Sequence, residues 1–367
     1  MIDFKLIYKK INKNLSESEE QAFQAWFNES SSHREYYYKV KNQLEEEKSL
    51  TPKKIMKTYF SLKWSAAVFI VFLSVSTYVF FSSTSISEPV LVDEVQFENP
   101  ITPSKTKATL ILANGRSIKI DTKSKFKHKD VEVVEDKILY TKDTSPVVSE
   151  LRFNTLFVPK GGFFELILSD NTKVWVNSDS QLRYPVKFID SQPRTVELIT
   201  GEAYFEVSPS SENNGNRFVV EVNKQQIEVL GTHFNVKAYA NDDKHVTSLL
   251  EGSVKLTYLG AEHFLKPNQR AVIFKNSGIV NVENATVDDD VLWKSGVFAF
   301  SDYTLEDIGN VLMRWYDVEI NITRNDLKQK KFNGVLRKNQ NLGQILNILS
   351  KSISLKYSRS GNHIEIY

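Results

Sequence analysis

The sequence predicts a multidomain chain. Its parts are a small all-α cytoplasmic head, a single transmembrane helix, an all-β domain (antiparallel or solenoid-like) and a C-terminal α+β domain of βαββαβ-like order. Three observations predict this. Apolar residues recur at helical spacing through residues 1–50, and "KWSAAVFIVFLSVSTYVFF" from Lys63 to Phe81 is apolar on every face. From about Lys105 the period drops to two, and it returns to helical only after about Val287.

In the head, Phe4, Ile7, Tyr8 and Ile11 fall on one helical face. Ser16 with Glu19, and Ser32 with Glu35, have capping-box spacing, and each opens an aromatic helix. The first carries Phe23, Trp26 and Phe27; the second carries Tyr36, Tyr37, Val40 and Leu44. Three short amphipathic helices are predicted over 1–50, and Thr51-Pro52 breaks the chain before a basic juxtamembrane linker over 51–63. Fifty residues build only a marginal core, so these aromatics either hold the head together or meet a partner.

Residues 64–84 read as the span, with Trp64, Val68, Phe72, Val75 and Phe81 along it. A helix from Trp64 to Phe81 is about 27 Å long, close to the roughly 30 Å of a hydrocarbon core. A signal peptide would sit nearer the start. Lys48, Lys53, Lys54, Lys57 and Lys63 precede the run, whereas Glu88, Asp93, Glu94 and Glu98 follow it. The positive-inside rule then predicts an inner-membrane, single-pass protein with a cytoplasmic N-terminus and a periplasmic bulk.

A periplasmic linker and N-terminal β-hairpin are predicted over 85–149, with the hairpin turning at Asn114-Gly115. The segment from Lys123 to Glu150 is charged and reads as linker or weak hairpin. The all-β domain covers 150–280 and the α+β domain 290–367. In the latter, Thr304 with Asp307 caps one helix and Asn341 caps another. Zero cysteines rule out disulfides, thiolate metal sites and cysteine nucleophiles. A net charge of +2 gives no global attraction to nucleic acid.

No phosphate loop, serine elbow or zinc-helix motif is present. The six histidines are scattered, and His233 reads as a polar-face residue. Asp288, Asp289 and Asp290 lack the spacing of a calcium loop and read as a solvated interdomain run. Glu202 and Glu206 share a strand face about 13 Å apart, too far for paired carboxylates. No catalytic, cofactor or metal site is predicted, and the chain reads as a non-enzyme. A tethered glycan- or cell-wall-binding module is the alternative, with Trp175, Tyr184 and Tyr204 as sugar-stacking aromatics.

The body phrases "VPKGGFFELILSDNTKVWVNSDSQLRYP", "GEAYFEV", "VLGTHFNV", "LLEGSVKL" and "LKPNQRAVI" resemble the FecR family of membrane-anchored anti-sigma factors. "LWKSGVFAFSDYTLEDIGNVLMRWYDVEI" and "FNGVL" resemble the C-terminal domain often joined to it, similar to a short secretin/TonB amino-terminal fold. The head "LSESEEQAFQAWFNESSSHREYYYKV" is similar more loosely. Two turns depart from the family's glycine-containing pattern, Asp170-Asn171 and Asn268-Gln269. The resemblance implies that the head binds an extracytoplasmic-function sigma factor, with Phe23, Trp26, Phe27 and Tyr36 as candidate contacts. It implies too that the body senses the signalling domain of an outer-membrane TonB-dependent transporter, and that membrane proteases release the sigma factor.

Overall fold

The computed structural model describes residues 10, 15–29, 34, 37, 101–102, 107–121, 125–128, 131–134, 137–140, 151–353 and 355–367. The chain divides into two compact units, Met1–Gln96 and Phe97–Tyr367.

In the first unit, helix Glu17–Glu29 starts at the expected box. The Ser16 amide donates to the Glu19 carboxylate at 2.9 Å, and the Glu19 amide donates back to Ser16 Oγ at 3.4 Å. Glu17, Glu19 and Glu20 in the first turn complement the helix dipole. Phe23 and Trp26 turn inward and are buried.

In the second unit, 18 strands between Lys107 and Asn284 form one sheet folded into two layers. The long strand Arg194–Glu206 belongs to both layers. Its first half pairs with Phe218–Val222 and Ser180–Pro185, and its second half with Lys173–Val176 and His233–Ala238. The chain switches layers at Gly201, where φ is +107° and an added Cβ would lie 2.1 Å from Ser180 Oγ. Only glycine fits there. Pairing is antiparallel apart from Arg194–Glu197 with Phe218–Glu221 and Lys137–Leu139 with Glu165–Ile167. The inner faces meet in one core containing Leu110, Leu156, Phe164, Val174, Phe205, Phe218, Phe234 and Leu256.

The C-terminal region runs strand Val297–Thr304, helix Leu305–Tyr316, strand Glu319–Ile322, helix Asn325–Lys328, strand Lys331–Arg337, helix Leu342–Ile353, then strands Tyr357–Ser360 and His363–Ile366. Among the described residues Val297–Thr304 pairs only with Lys331–Arg337, while Glu319–Ile322, His363–Ile366 and Tyr357–Ser360 form a separate sheet. The two long helices, Leu305–Tyr316 and Leu342–Ile353, are capped in the predicted way. Asp307 N donates to Thr304 Oγ1 at 3.1 Å, and Gln344 N to Asn341 Oδ1 at 2.9 Å. Ile308, Leu312, Trp315, Ile345, Leu346 and Ile364 form a second core.

The expected fold class needs correction. The described chain is mostly β, and among the described residues no helix is long and apolar enough to cross a membrane. Cross-strand backbone hydrogen bonds, rather than intrahelical ones, hold the larger share of its regular structure. The segment predicted to span, 64–84, with Trp64, Val68, Phe72, Val75 and Phe81, lies outside the described residues, as do Phe4, Ile7, Tyr8, Ile11 and Tyr36. A second correction concerns the charged stretch after Lys123. It contains strands Lys125–His128, Val131–Val134 and Lys137–Tyr140, which pair in sequence and then with Phe164–Ile167. Val131, Val133, Ile138 and Tyr140 are buried in the main core.

Candidate functional site at the joint of the β body and the C-terminal domain

One face of the β body carries polar and aromatic side chains in cross-strand register. Glu165 lies opposite Trp175, Trp175 opposite Tyr204, Tyr204 opposite Asn235, Asn235 opposite Ser248 and Ser248 opposite Arg270. Strict alternation places them there, because their neighbours Val174, Val176, Ala203, Phe205, Phe234 and Val236 fill the core. A polar face of this kind normally meets water. Here the 3-10 segment Asp289–Ser295 lies across it and contacts the row in order. Ser248 Oγ donates to the Asp290 carboxylate at 2.5 Å, and Trp293 Nε1 donates to Asn235 Oδ1 at 3.3 Å. The Lys294 ammonium sits 3.4 Å from the Tyr204 ring centre and 4.6 Å from that of Trp175. Phe163 packs edge-on against Trp293. The acidic run is therefore a clasp rather than a solvated linker.

A second row, nearer the C-terminal domain, is ionic. Glu202 is buried and accepts from Asn177 Nδ2 at 2.8 Å and Asn235 Nδ2 at 3.0 Å. Lys237 lies opposite it and reaches Asp242 at 3.9 Å. From helix Leu305–Tyr316, Arg314 pairs with Asp242 and stacks its guanidinium 3.7 Å from the Tyr239 ring centre. Its backbone carbonyl accepts from Gly161 N at 2.7 Å, and Tyr239 Oη donates to the Ser178 carbonyl at 2.9 Å. Glu202, Lys237, Tyr239, Arg314 and Trp315 line a small, partly open cavity of about 10 Å³, room for about one water. The arrangement is that of a polar docking joint.

Burial holds the Glu202 and Asp290 carboxyls above their ordinary values of 4.5 and 3.8, and the bonds from Asn235, Asn177 and Ser248 only partly oppose it. A carboxyl raised on folding contributes stability that is present below its unfolded value and lost as pH rises through its folded one. The joint is therefore expected to tighten as pH falls from neutrality towards 4.5. His245 acts oppositely: burial pushes it down to about 4, so protonation of the unfolded chain lowers stability as pH falls below 6.5. Glu202→Gln isolates the carboxyl's contribution. Subtracting its melting curves from those of the parent should leave a residual that favours the parent near pH 4.5 and shrinks as pH rises towards neutrality. A flat difference would remove Glu202 from the account.

The sequence-predicted sites fall elsewhere. Phe23 and Trp26 are 2% and 8% exposed, with ring centres 6.0 Å apart, and half-buried Phe27 stacks on Phe23 at 5.6 Å. The Tyr37 ring contacts Phe23 and Phe27 at 5.3 and 5.4 Å. The sugar-stacking candidates are occupied from within. Tyr184 is fully buried and accepts a hydrogen bond from Tyr140 at 3.0 Å, while Lys294 covers Trp175 and Tyr204. His233 pairs with Glu251 at 3.2 Å on a half-exposed surface. Glu202 and Glu206 diverge: Glu202 meets the asparagines, while Glu206 meets Lys173 and Lys294, each at 3.7 Å. Among the described residues no cluster of histidine and acidic side chains is placed to hold a metal ion.

Residues 154–255 match the FecR protein family, and residues 297–366 match the FecR C-terminal family. The chain therefore carries a FecR domain followed by a FecR C-terminal domain, the two parts of the FecR-type architecture. Two crystal structures of a candidate anti-sigma factor from Parabacteroides distasonis ATCC 8503, at 1.65 and 2.50 Å resolution, superpose on it with a TM-score of 0.54 at 27% identity. They cover 58% and 59% of this chain and 98% of their own. No curated protein matches. The two FecR-type domains are thus the two partners of the joint, and the family implies a sigma factor as partner.

Proposed function

We propose that this protein restrains an extracytoplasmic-function sigma factor through its amino-terminal helical head. Its β body and C-terminal domain receive the signalling domain of an outer-membrane TonB-dependent transporter, and membrane proteases then free the sigma factor. The observation that carries this reading is the division of the chain. Both FecR-type domains lie within one compact unit, and a separate unit with an aromatic, capped helix precedes it in the chain. Co-purification of the full chain with an extracytoplasmic-function sigma factor encoded beside it tests the proposal; no complex at micromolar concentration would sink it.

Trp26→Ala should weaken that complex by about 1–2 kcal/mol in calorimetric titration, because a buried aromatic shapes the surface around it. Circular dichroism on the same variant reports whether helix Glu17–Glu29 persists. Unchanged affinity with the helix intact would confine Trp26 to the head's own core. The same reading places the head in the cytoplasm and the β body in the periplasm. A C-terminal alkaline phosphatase fusion should be active, and an inactive, well-expressed fusion would contradict that placement.

A further inference from the structure

The position of Lys294 has a chemical meaning beyond holding the domains together. Trp175 and Tyr204 face each other across neighbouring strands, with ring centres 5.6 Å apart and planes tilted by 54°. Two aromatic faces set at an angle present negative quadrupole charge to a shared point. Glu206, two residues beyond Tyr204 on the same strand face, supplies a carboxylate 3.7 Å from the same ammonium. Lys173 holds the other oxygen of Glu206 at 3.7 Å, which fixes the carboxylate without filling the cradle. Two ring faces and one carboxylate are the recognition elements for a primary alkylammonium group.

We infer that Trp175, Tyr204 and Glu206 form an alkylammonium-binding site on the β body, which Lys294 occupies in cis and a lysine side chain of a partner protein occupies in trans. Two features favour an exchangeable occupant. Lys294 keeps 23% of its side-chain exposure, whereas its neighbour Trp293 is 4% exposed, so the cradle opens to solvent on the lysine side. Moreover, Lys294 comes from the short 3-10 segment joining the domains, not from either core. Leaving the cradle requires movement of that segment alone. A partner lysine entering it would displace the segment from the Trp175–Tyr204 end of the row, furthest from the Asp290 contact. This inference does not depend on the sigma-factor reading, because the site lies wholly within the β body and its clasp.

Chemical rescue tests it on the full chain. In Lys294→Ala, proteolysis within residues 286–296 should run about tenfold faster than in the parent, as expected for loss of a partly desolvated cation–π contact. Adding n-butylammonium chloride, which replaces the missing stem and charge, should slow cleavage saturably towards the parent rate. Potassium chloride at equal ionic strength should not. Adding Trp175→Leu to the alanine variant should abolish the rescue, and Glu206→Gln should shift it to higher n-butylammonium. If alanine compromises folding, Lys294→Met keeps the stem and removes only the charge, and quenching of tryptophan fluorescence by n-butylammonium reports binding directly. Equal protection by potassium chloride, or rescue that persists without Trp175, would overturn the site. So would an unchanged cleavage rate in Lys294→Ala.

Discussion

Asp170→Ala should cost the β body about 3–5 kcal/mol in denaturant titration, the largest effect expected from a single polar residue in this chain. Asp170 and Arg194 are a buried pair, 3% and 2% exposed and 2.6 Å apart. The carboxylate accepts from Thr172 N at 3.0 Å and Thr172 Oγ1 at 2.7 Å, closing the turn in which Asn171 takes φ +67°. Asparagine tolerates this left-handed conformation better than most residues, so the Asp-Asn turn stands where the family pattern has glycine. Arg194 donates three more hydrogens to the carbonyls of Ser208 and Asn216, at 3.0 to 3.2 Å. Alanine at 170 would therefore strand a guanidinium among carbonyls with no counter-charge.

The cost comes from that stranded charge and not from the worth of the pair, since desolvation cancels much of a buried pair's attraction. Asp170→Leu combined with Arg194→Met should accordingly recover most of the loss. High salt should leave the loss unchanged, because counterions do not reach a buried pair. The exposed Arg183–Glu197 pair, 44% and 43% exposed, makes the contrast: breaking it should cost under about 1 kcal/mol and less in salt. A loss below about 1 kcal/mol for Asp170→Ala would show that the turn and its loops relax around the charge.

What the sequence makes legible follows from locality. Ser16 with Glu19 and Thr304 with Asp307 are three residues apart, and both boxes form. The Asn114-Gly115 turn joins strands Lys107–Ile111 and Ser117–Asp121 in direct register, with Gly115 at φ +81°. Alternation places Val174, Val176, Phe205 and Phe234 in the core for the same reason. What alternation does not encode is what covers the other face. Asn235 and Trp293 are 58 residues apart, and nothing near Asn235 marks it as a docking residue rather than a solvated one. Asp290 reads as solvated for the same cause, since three consecutive aspartates look exposed until the fold brings Ser248 beside the last of them. The three strands between Lys125 and Tyr140 are four residues each, too short for their alternation to stand out among lysines and acids.

Arg314→Ala should separate the C-terminal domain from the β body without unfolding either, weakening docking by about 2–4 kcal/mol. Calorimetry should then resolve two transitions where the parent gives one. Arg314 lies on a helix whose Ile308, Leu312 and Trp315 face the domain's own core, so its loss does not open that core. What it removes is the ion pair to Asp242 and the stacking on Tyr239. Lys237 remains within 3.9 Å of Asp242, so the orphaned carboxylate is not left without a cation, which keeps the cost below that at Asp170. Arg314→Lys should restore the charge but not the planar stacking, and recover only part of the docking. Hydrogen exchange at the Gly161 amide, bonded to the Arg314 carbonyl, reads the same event locally and should accelerate in step. A single unshifted transition would mean that the clasp at Trp293 and Lys294 holds the domains unaided. The chemistry of the joint explains why separation is the expected failure. Its ionic row and much of its clasp are polar groups that water can satisfy once parted, whereas parting either apolar core would expose surface at about 25 cal/mol per Å². The joint is thus the place where this protein can open and remain folded.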